Sequence, residues 1–427
     1  MRLTNRQLIA AAEERVADLR ELTAAGLVNR EGYFYPSVHY PPITMYEPTG
    51  PDAFLETYSV PPGNRMSVYV HIPFCNNRCV FCHYPVTVGL TPSKKDHYLS
   101  MLEREMDLWF DALGIDRISA TSVLIAGGTP TAMSVEQFKH FHRIFTRRVD
   151  LSDCSQIAYD VHPRTLLGQE GGERLRIMRD HGSERLTIGI QTFDPTLLAR
   201  MNRGQERQEG IDCIEACRKV GFDDICVEFI YGYPDQTMES WLADLRLAID
   251  LGVDEIQIYR LKIEPYGDEA GEILEMYRDG EATFVSPEDT IRMKQAAILL
   301  LNEHGYHETL TRVFSRDKSK YSHYASDQCC DLVDQIGFGM SAFSSLRDRF
   351  CINPDSLEGY YRHIDEGRLP LNRGLVRDED ENRRWNVILP LKNWNVQRST
   401  FRGTCGIDLT EAFPATSRPW SSTACSI

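Results

Sequence analysis

From Ser67 onward the chain alternates two hydrophobic patterns. Short apolar runs at Ser67–Ile72, Ser122–Ala126, Gln156–Val161, Arg185–Gln191, Ile225–Ile230 and Glu255–Arg260 predict strands. Between them, apolar positions recur at helical spacing over Lys95–Ala112, Val135–Arg147, Gly172–His181, Glu206–Val220 and Met238–Leu251. Six strand–helix units in succession predict a parallel sheet, and right-handed crossovers curl it into a partial (βα)6 barrel of the TIM type. In such folds the active site lies at the carboxyl ends of the strands.

Outside this region the pattern changes. Residues 5–25 read as an amphipathic helix stopped by Gly26, and residues 31–64 as an extended arm rich in Pro, Gly and Tyr. Ser286–Glu303 reads as a strong helix, followed by the Gly-rich segment Ile336-Gly-Phe-Gly-Met-Ser. Residues 350–410 read as mainly helical. The expected organisation is an N-terminal helix and arm (1–64), the barrel core (65–265), a barrel-completing segment (266–349) and a small, short C-terminal domain (350–427).

The net charge of −15 argues against nucleic acid and against an anionic membrane surface as partners. No apolar run approaches the ~20 residues that span a bilayer, and the N-terminus lacks the apolar segment of a signal peptide.

Twelve cysteines are present, and three fall within eight residues as Cys75-x3-Cys79-x2-Cys82, directly after the first strand. Three thiolates on one short loop can hold three irons of a 4Fe-4S cube and leave the fourth iron open to a small molecule. A structural zinc site completed by His83 or His71 is the competing reading, but it needs none of the downstream motifs. Most other cysteines read as small buried apolar groups, and Cys329-Cys330 with Cys351 show no recognisable cluster spacing. Reduced thiols beside an oxygen-sensitive cluster imply the cytoplasm.

Ala126-Gly-Gly-Thr129-Pro-Thr follows the second strand, where bare backbone N–H groups could hold the amino-acid end of a ligand. Further motifs follow in order: Tyr69-Val-His-Ile-Pro-Phe-Cys, Phe81 before the third cysteine, Arg185-Leu-Thr-Ile-Gly-Ile-Gln191, Asn202-Arg203 and Ile230-Tyr-Gly-Tyr-Pro-Asp-Gln. Together they resemble the oxygen-independent coproporphyrinogen III oxidase-like branch of the radical SAM enzymes, from about Ser67 to Phe413. The resemblance implies a 4Fe-4S cluster on Cys75, Cys79 and Cys82 and two molecules of S-adenosylmethionine (SAM). It implies that Gly127, Gly128, Thr129, Asp160, Gln191 and Arg203 surround the first SAM, with Tyr69 and Phe81 near the cluster. Glu228, Arg260 and Leu261 would face the second. The bland reading of Glu228 is a buried acid paired with a cation.

The chain also departs from that branch. Asp160 stands ahead of His162-Pro-Arg where the branch has Glu ahead of Asp-Pro-Arg, and Glu228 stands where it has Asp. His83-Tyr84 replaces an extra cysteine. A shift of one methylene repositions a ligand by about 1 Å, enough to matter in catalysis. These departures point to the class C methyltransferase and cyclopropane-forming members. The expected reaction is methylation or cyclopropanation of an sp2 carbon of a secondary metabolite in natural-product biosynthesis. There a 5′-deoxyadenosyl radical takes hydrogen from the second SAM's methyl group. The alternatives are oxidative decarboxylation of a porphyrinogen propionate, with Arg260, Lys262 or Arg312 as its cations, and a non-catalytic haem chaperone using His83, His71 or His39. Expected partners are a small-molecule substrate and an electron donor such as flavodoxin or ferredoxin, with room for a partner methyltransferase or cyclase.

Overall fold

The computed structural model describes residues 3–26, 40–264, 271–393 and 395–414. The six predicted strands form within two residues of expectation, except that the second begins four residues earlier. They are β1 (Arg65–Ile72), β2 (Ile118–Gly127), β3 (Ile157–Val161), β4 (Arg185–Gln191), β5 (Asp224–Tyr231) and β6 (Glu255–Arg260). All neighbours from β1 to β6 pair in parallel, in chain order. Between them run α2 (Pro92–Leu113), α3 (Val135–Arg148), α4 (Gly168–Asp180), α5 (Arg207–Val220) and α6 (Met238–Asp250), behind the N-terminal α1 (Asn5–Ala24).

Local chemistry sets the helix ends. Thr91 caps α2 with Pro92 in its first turn, and left-handed Gly114 closes it. Ser134 and Thr237 build capping boxes at α3 and α6. Outward strand residues such as Val68, Ile125, Ile188, Val227 and Ile258 pack with Leu102, Phe138, Leu175, Ile214 and Leu245 of the helices. Burying such a side chain contributes about 1.5–3 kcal/mol. The opposite face of each strand points into the barrel and carries the polar residues.

The sheet extends beyond the six units on both sides. After α7 (Pro287–Glu303), β7 (His307–Leu310) and β8 (Val313–Ser315) add an antiparallel edge to β6. On the other side β9 (Gln335–Phe338) joins β1 in parallel, followed by antiparallel β10 (Phe343–Leu346), β11 (Arg349–Ile352) and β12 (Arg373–Val376). The Gly-rich segment is therefore a barrel strand. Gly337 has to be small there, because a Cβ would lie 2.2 Å from the Phe343 carbonyl oxygen.

Residues 350–410 are mainly helical as expected, in α8 (Leu357–Asp365), α9 (Glu379–Asn393), α10 (Arg398–Cys405) and Leu409–Ala412, and two of the strands also fall there. Of the arm, Glu47–Pro48 pairs with β12. Its aromatic run at 33–39 and the tail after 414 lie outside the described residues. Among the described residues no helix is long and apolar enough to cross a membrane.

Candidate active site

The cysteine loop leaves the carboxyl end of β1 and is held at several points. Phe74 is fully buried edge-to-face on Tyr98, with ring centres 5.3 Å apart. Val80 sinks into an apolar cluster with Leu197, Met201, Ile230, Tyr233 and Leu261, and its N–H donates to the Met201 carbonyl at 3.0 Å. The Asn202 amide donates to the Arg78 carbonyl at 2.8 Å, and the Asn77 amide donates back to the Asn202 carbonyl.

This clamp delivers Arg203 to the thiols. Its Nη1 donates to Cys79 Sγ at 3.4 Å and its Nη2 to the Gly189 carbonyl at 2.5 Å. His162, neutral because burial lowers it to about 3, bonds the Arg203 carbonyl through Nε2 at 3.2 Å. Gly189 lets both side chains close in, since a Cβ would lie 2.8 Å from Arg203 Nη2 and 2.9 Å from Gln191 Nε2 and would displace them. Gln191 follows at a bulge with φ of 69°, a strained conformation for a non-glycine residue.

The Gly-Gly-Thr segment lies against the cysteine loop, but its backbone does different work from that expected. The Gly128 N–H donates to the Ile72 carbonyl at 2.9 Å and the Thr129 N–H to the Phe74 carbonyl at 2.7 Å. Those two donors are spent on the loop and do not face a ligand. Gly128 is required by close approach, since a Cβ would lie 2.7 Å from the Phe74 oxygen, and Gly127 (φ 104°) packs on the His71 ring. The Thr129 hydroxyl is 3.8 Å from Cys75 Sγ. Gly128→Ala is expected to push the loop outward and cut iron retention severalfold. Overpacking of this kind costs about 1–3 kcal/mol. Iron per chain after anaerobic reconstitution, beside the unfolding midpoint, checks it.

Burial raises the Cys75 thiol and lifts that of Cys82 to about 11, so a proton or a metal has to neutralise each sulfur. Among the described residues no three His, Cys, Asp or Glu side chains converge on one ion. A cube, by contrast, distributes its cysteines over separate irons. Tyr69 is buried beneath the loop, stacks on Phe343 at 5.3 Å, and its hydroxyl donates to His71 Nδ1 at 3.0 Å. Phe81 packs against the apolar cluster around Val80.

Below the thiols the barrel lumen carries two carboxyl groups on opposite sides of β4. Asp160 on β3 pairs in register with Thr187, and Glu228 on β5 with Gly189. Both are deeply enclosed by protein yet keep part of their surface open to the lumen. Burial raises Asp160 to about 6, against hydrogen bonding from Thr187. Burial and then the Asp160 charge raise Glu228 to about 8, against a hydrogen bond with Tyr259. The cation-paired reading of Glu228 finds no salt bridge among the described residues. Arg260 is half-buried at the end of β6. Leu261 departs from expectation: its side chain is core, packed with Val80 and Ile230 rather than facing the lumen.

The floor of the lumen is a buried ion cluster. Arg185 Nη1 reaches Asp224 at 3.2 Å and Glu255 at 3.2 Å, and its Nη2 also binds Glu255. Thr187, Gly189, Gln257 and Tyr259 were not among the predicted site residues. The polar alternation Glu255-x-Gln257-x-Tyr259 on an otherwise apolar strand was the available signal.

Comparison with known proteins agrees with this geometry. The model of the radical SAM superfamily matches residues 69–248, from Tyr69 in β1 into α6. Over that segment the chain is similar to radical SAM proteins. It is 26% identical over 355 residues to the oxygen-independent coproporphyrinogen III oxidase of Escherichia coli, covering 81% of this chain and 75% of the relative. It is 25% identical over 355 residues to the heme chaperone HemW of Bacillus subtilis, covering 82% and 89%. The solved structure of coproporphyrinogen III oxidase (HemN) from E. coli superposes with a TM-score of 0.74 at 26% identity, covering 88% of this chain and 87% of that one.

The cofactors of the radical SAM family are a 4Fe-4S cluster and SAM, and the residues here fit them. The Arg203 Nε is buried without a hydrogen-bond partner, an orphaned donor beside the thiols. The buried Cys75 and Cys82 sulfurs need neutralising.

Proposed function

We propose that this chain is a radical SAM enzyme that oxidises a carboxylate-bearing substrate, as the coproporphyrinogen III oxidases do, and that Cys75, Cys79 and Cys82 hold its cluster. The observation that carries the reading is the chamber itself: two lumen acids and Arg203 beneath a three-cysteine loop, in a fold shared almost end to end with the oxidase. The relatives are oxidases and a chaperone, which moves the balance from methyl transfer or cyclopropanation to oxidation. Methyl transfer rests on the departures at Asp160, Glu228 and His83-Tyr84. When bound, cluster and SAM supply one-electron cleavage and a carbon radical that abstracts hydrogen.

The chain's own residues bind, orient and exclude water. The Arg203 guanidinium offers its spare donor to an acceptor group of SAM, a charge-assisted contact. Asp160, held by Thr187, accepts from hydroxyl or ammonium donors. Phe81 and the cluster around Val80 keep water from the thiols. A chaperone role needs an axial histidine. His71 has both ring nitrogens engaged, with Tyr69 and with the Pro85 carbonyl, whereas His83 bonds the Lys262 carbonyl through Nε2 and keeps its buried Nδ1 without a hydrogen-bond partner. His39 lies outside the described residues. The electron donor is proposed to be a flavodoxin- or ferredoxin-type carrier.

The deciding experiment incubates the reconstituted protein anaerobically with reductant, methyl-deuterated SAM and coproporphyrinogen III. Unlabelled 5′-deoxyadenosine with a vinyl group replacing a propionate is the expected result. Deuterium in 5′-deoxyadenosine together with S-adenosylhomocysteine would move the assignment to methyl transfer. Stoichiometric haem binding without SAM cleavage would move it to the chaperone.

A further inference from the structure

The bulge at the carboxyl end of β4 is a strained part of the chamber wall, and a side chain outside the barrel grips it. With φ of 69°, Gln191 occupies the left-handed region, which a non-glycine residue keeps only where its surroundings fix it. That φ sets the direction in which the side chain leaves the strand. The Gln191 amide nitrogen comes to lie over Gly189, on the same side as Arg203 Nη2. The two atoms stand 2.9 Å and 2.8 Å from where a Gly189 Cβ would be.

The next two residues are pinned from α6. The Thr192 hydroxyl donates to Asp244 Oδ2 at 2.6 Å, and the Phe193 N–H donates to Asp244 Oδ1 at 2.8 Å. Both carboxylate oxygens are therefore engaged by consecutive residues of one turn. Asp244 is 3% exposed and Thr192 0%, so water is not at hand to replace either bond. Only a carboxylate suits this position, because it accepts twice and brings no donor of its own. The other polar hold on the bulge is weaker, a 3.4 Å bond from Gln205 Nε2 to the Ile190 carbonyl.

The grip extends down the chain to Arg203. The Thr192 hydroxyl oxygen also accepts from the Asp194 N–H at 3.0 Å. Asp194 in turn caps the short helix Pro195–Arg200 through the Thr196 and Leu197 N–H groups. Beyond that helix the Arg203 N–H donates to the Leu198 carbonyl at 3.0 Å. Gln191 thus lies one residue before the turn that Asp244 holds, and Arg203 one short helix after it.

We infer that Asp244 is a positioning residue: by gripping Thr192 and Phe193 from α6 it keeps Gln191 in its strained conformation and aims the amide beside Arg203. The ligand consequence rests on the reading that the lumen binds SAM. An amide and a guanidinium side by side supply several donors and one acceptor, which suits a carboxylate next to a donor group. Releasing the amide should weaken SAM binding and spare the cysteine loop, which has its own anchors at Phe74 and Val80.

The test has two arms. Crystal structures of Thr192→Val and Asp244→Asn, which need neither cluster nor SAM, are expected to show Gln191 returned to negative φ and its amide withdrawn from Arg203. Either variant suffices if the other fails to fold. Equilibrium dialysis of radiolabelled SAM against the cluster-loaded variants should show binding weakened about tenfold, the scale of one lost hydrogen bond, at the iron content of the parent. Thr192→Ser keeps the hydroxyl and should bind as the parent does. In a Gln191→Ala background, Asp244→Asn should cost no further affinity, since it acts through that residue. Gln191 unmoved in the variants would overturn the inference, with or without SAM. A relaxed Gln191 with parental SAM affinity, or losses that add in the double variant, would also overturn it and leave Asp244 a stabilising group alone. Absence of SAM binding in the parent chain would instead defeat the reading of the lumen, and the crystal structures would still decide whether Asp244 holds the bulge.

Discussion

Alanine at any one of Cys75, Cys79 or Cys82 is expected to leave a folded chain that retains little iron and forms no measurable 5′-deoxyadenosine. The fold survives because the loop is not held by its thiols. Phe74 and Val80 anchor it in apolar clusters, and the Asn77–Asn202 amides clamp its middle. The thiols themselves are half-buried. Losing one sulfur should therefore cost little stability, within about 1 kcal/mol for a partly exposed site. Activity falls completely, because two cysteines cannot retain a cube. Iron and sulfide content, the visible absorbance of the reconstituted protein and 5′-deoxyadenosine yield are the measurements. Cys213, Cys217 and Cys226 are the controls, buried in the core and distant from the loop in sequence. Alanine there should lower the unfolding midpoint and spare the iron. If a core cysteine proved as necessary for iron as the loop cysteines, the assignment of the cluster to the loop would fail.

The second large effect is on stability. Arg185→Met is expected to destabilise the chain by about 3–5 kcal/mol, the range for removing one partner of a buried ion pair. Arg185 is 1% exposed and Glu255 0%, so the substitution strands two carboxylates where water cannot reach them. They would have to take up protons on folding, and the loss should be smaller at low pH, where protons are available. Chemical denaturation of the parent and the variant at pH 5 and pH 8 tests this. Adding Asp224→Asn and Glu255→Gln to the variant should recover part of the loss, since the stranded charges are then gone. An unaltered midpoint in Arg185→Met would show that the cluster contributes nothing to the fold.

The parallel βα core could be read directly from the chain, because strands covered by helices on one face produce long apolar runs that end at clear turn and cap signals. The cysteine loop was legible for a different reason: three thiols in eight residues are a local feature, independent of folding. The C-terminal strands were missed because each is only four residues long, too short to show a period. Leu261 was misassigned because one residue decides which way a side chain faces at a strand end, and its N–H bond to the Tyr231 carbonyl turns it into the apolar cluster. Glu105 could only have been called a surface helix residue. It is completely buried and accepts bonds from the Gly339 N–H, the Asn353 amide and the Tyr360 hydroxyl, partners 234 to 255 residues away. The same holds at the site. Residue types and spacing along the chain carried the cofactor chemistry. The placing of Asp160 and Glu228 on either side of β4 came from strand register, and the aim of Arg203 from the Asn77–Asn202 clamp, because long-range neighbours, not residue identity, decide where a side chain points.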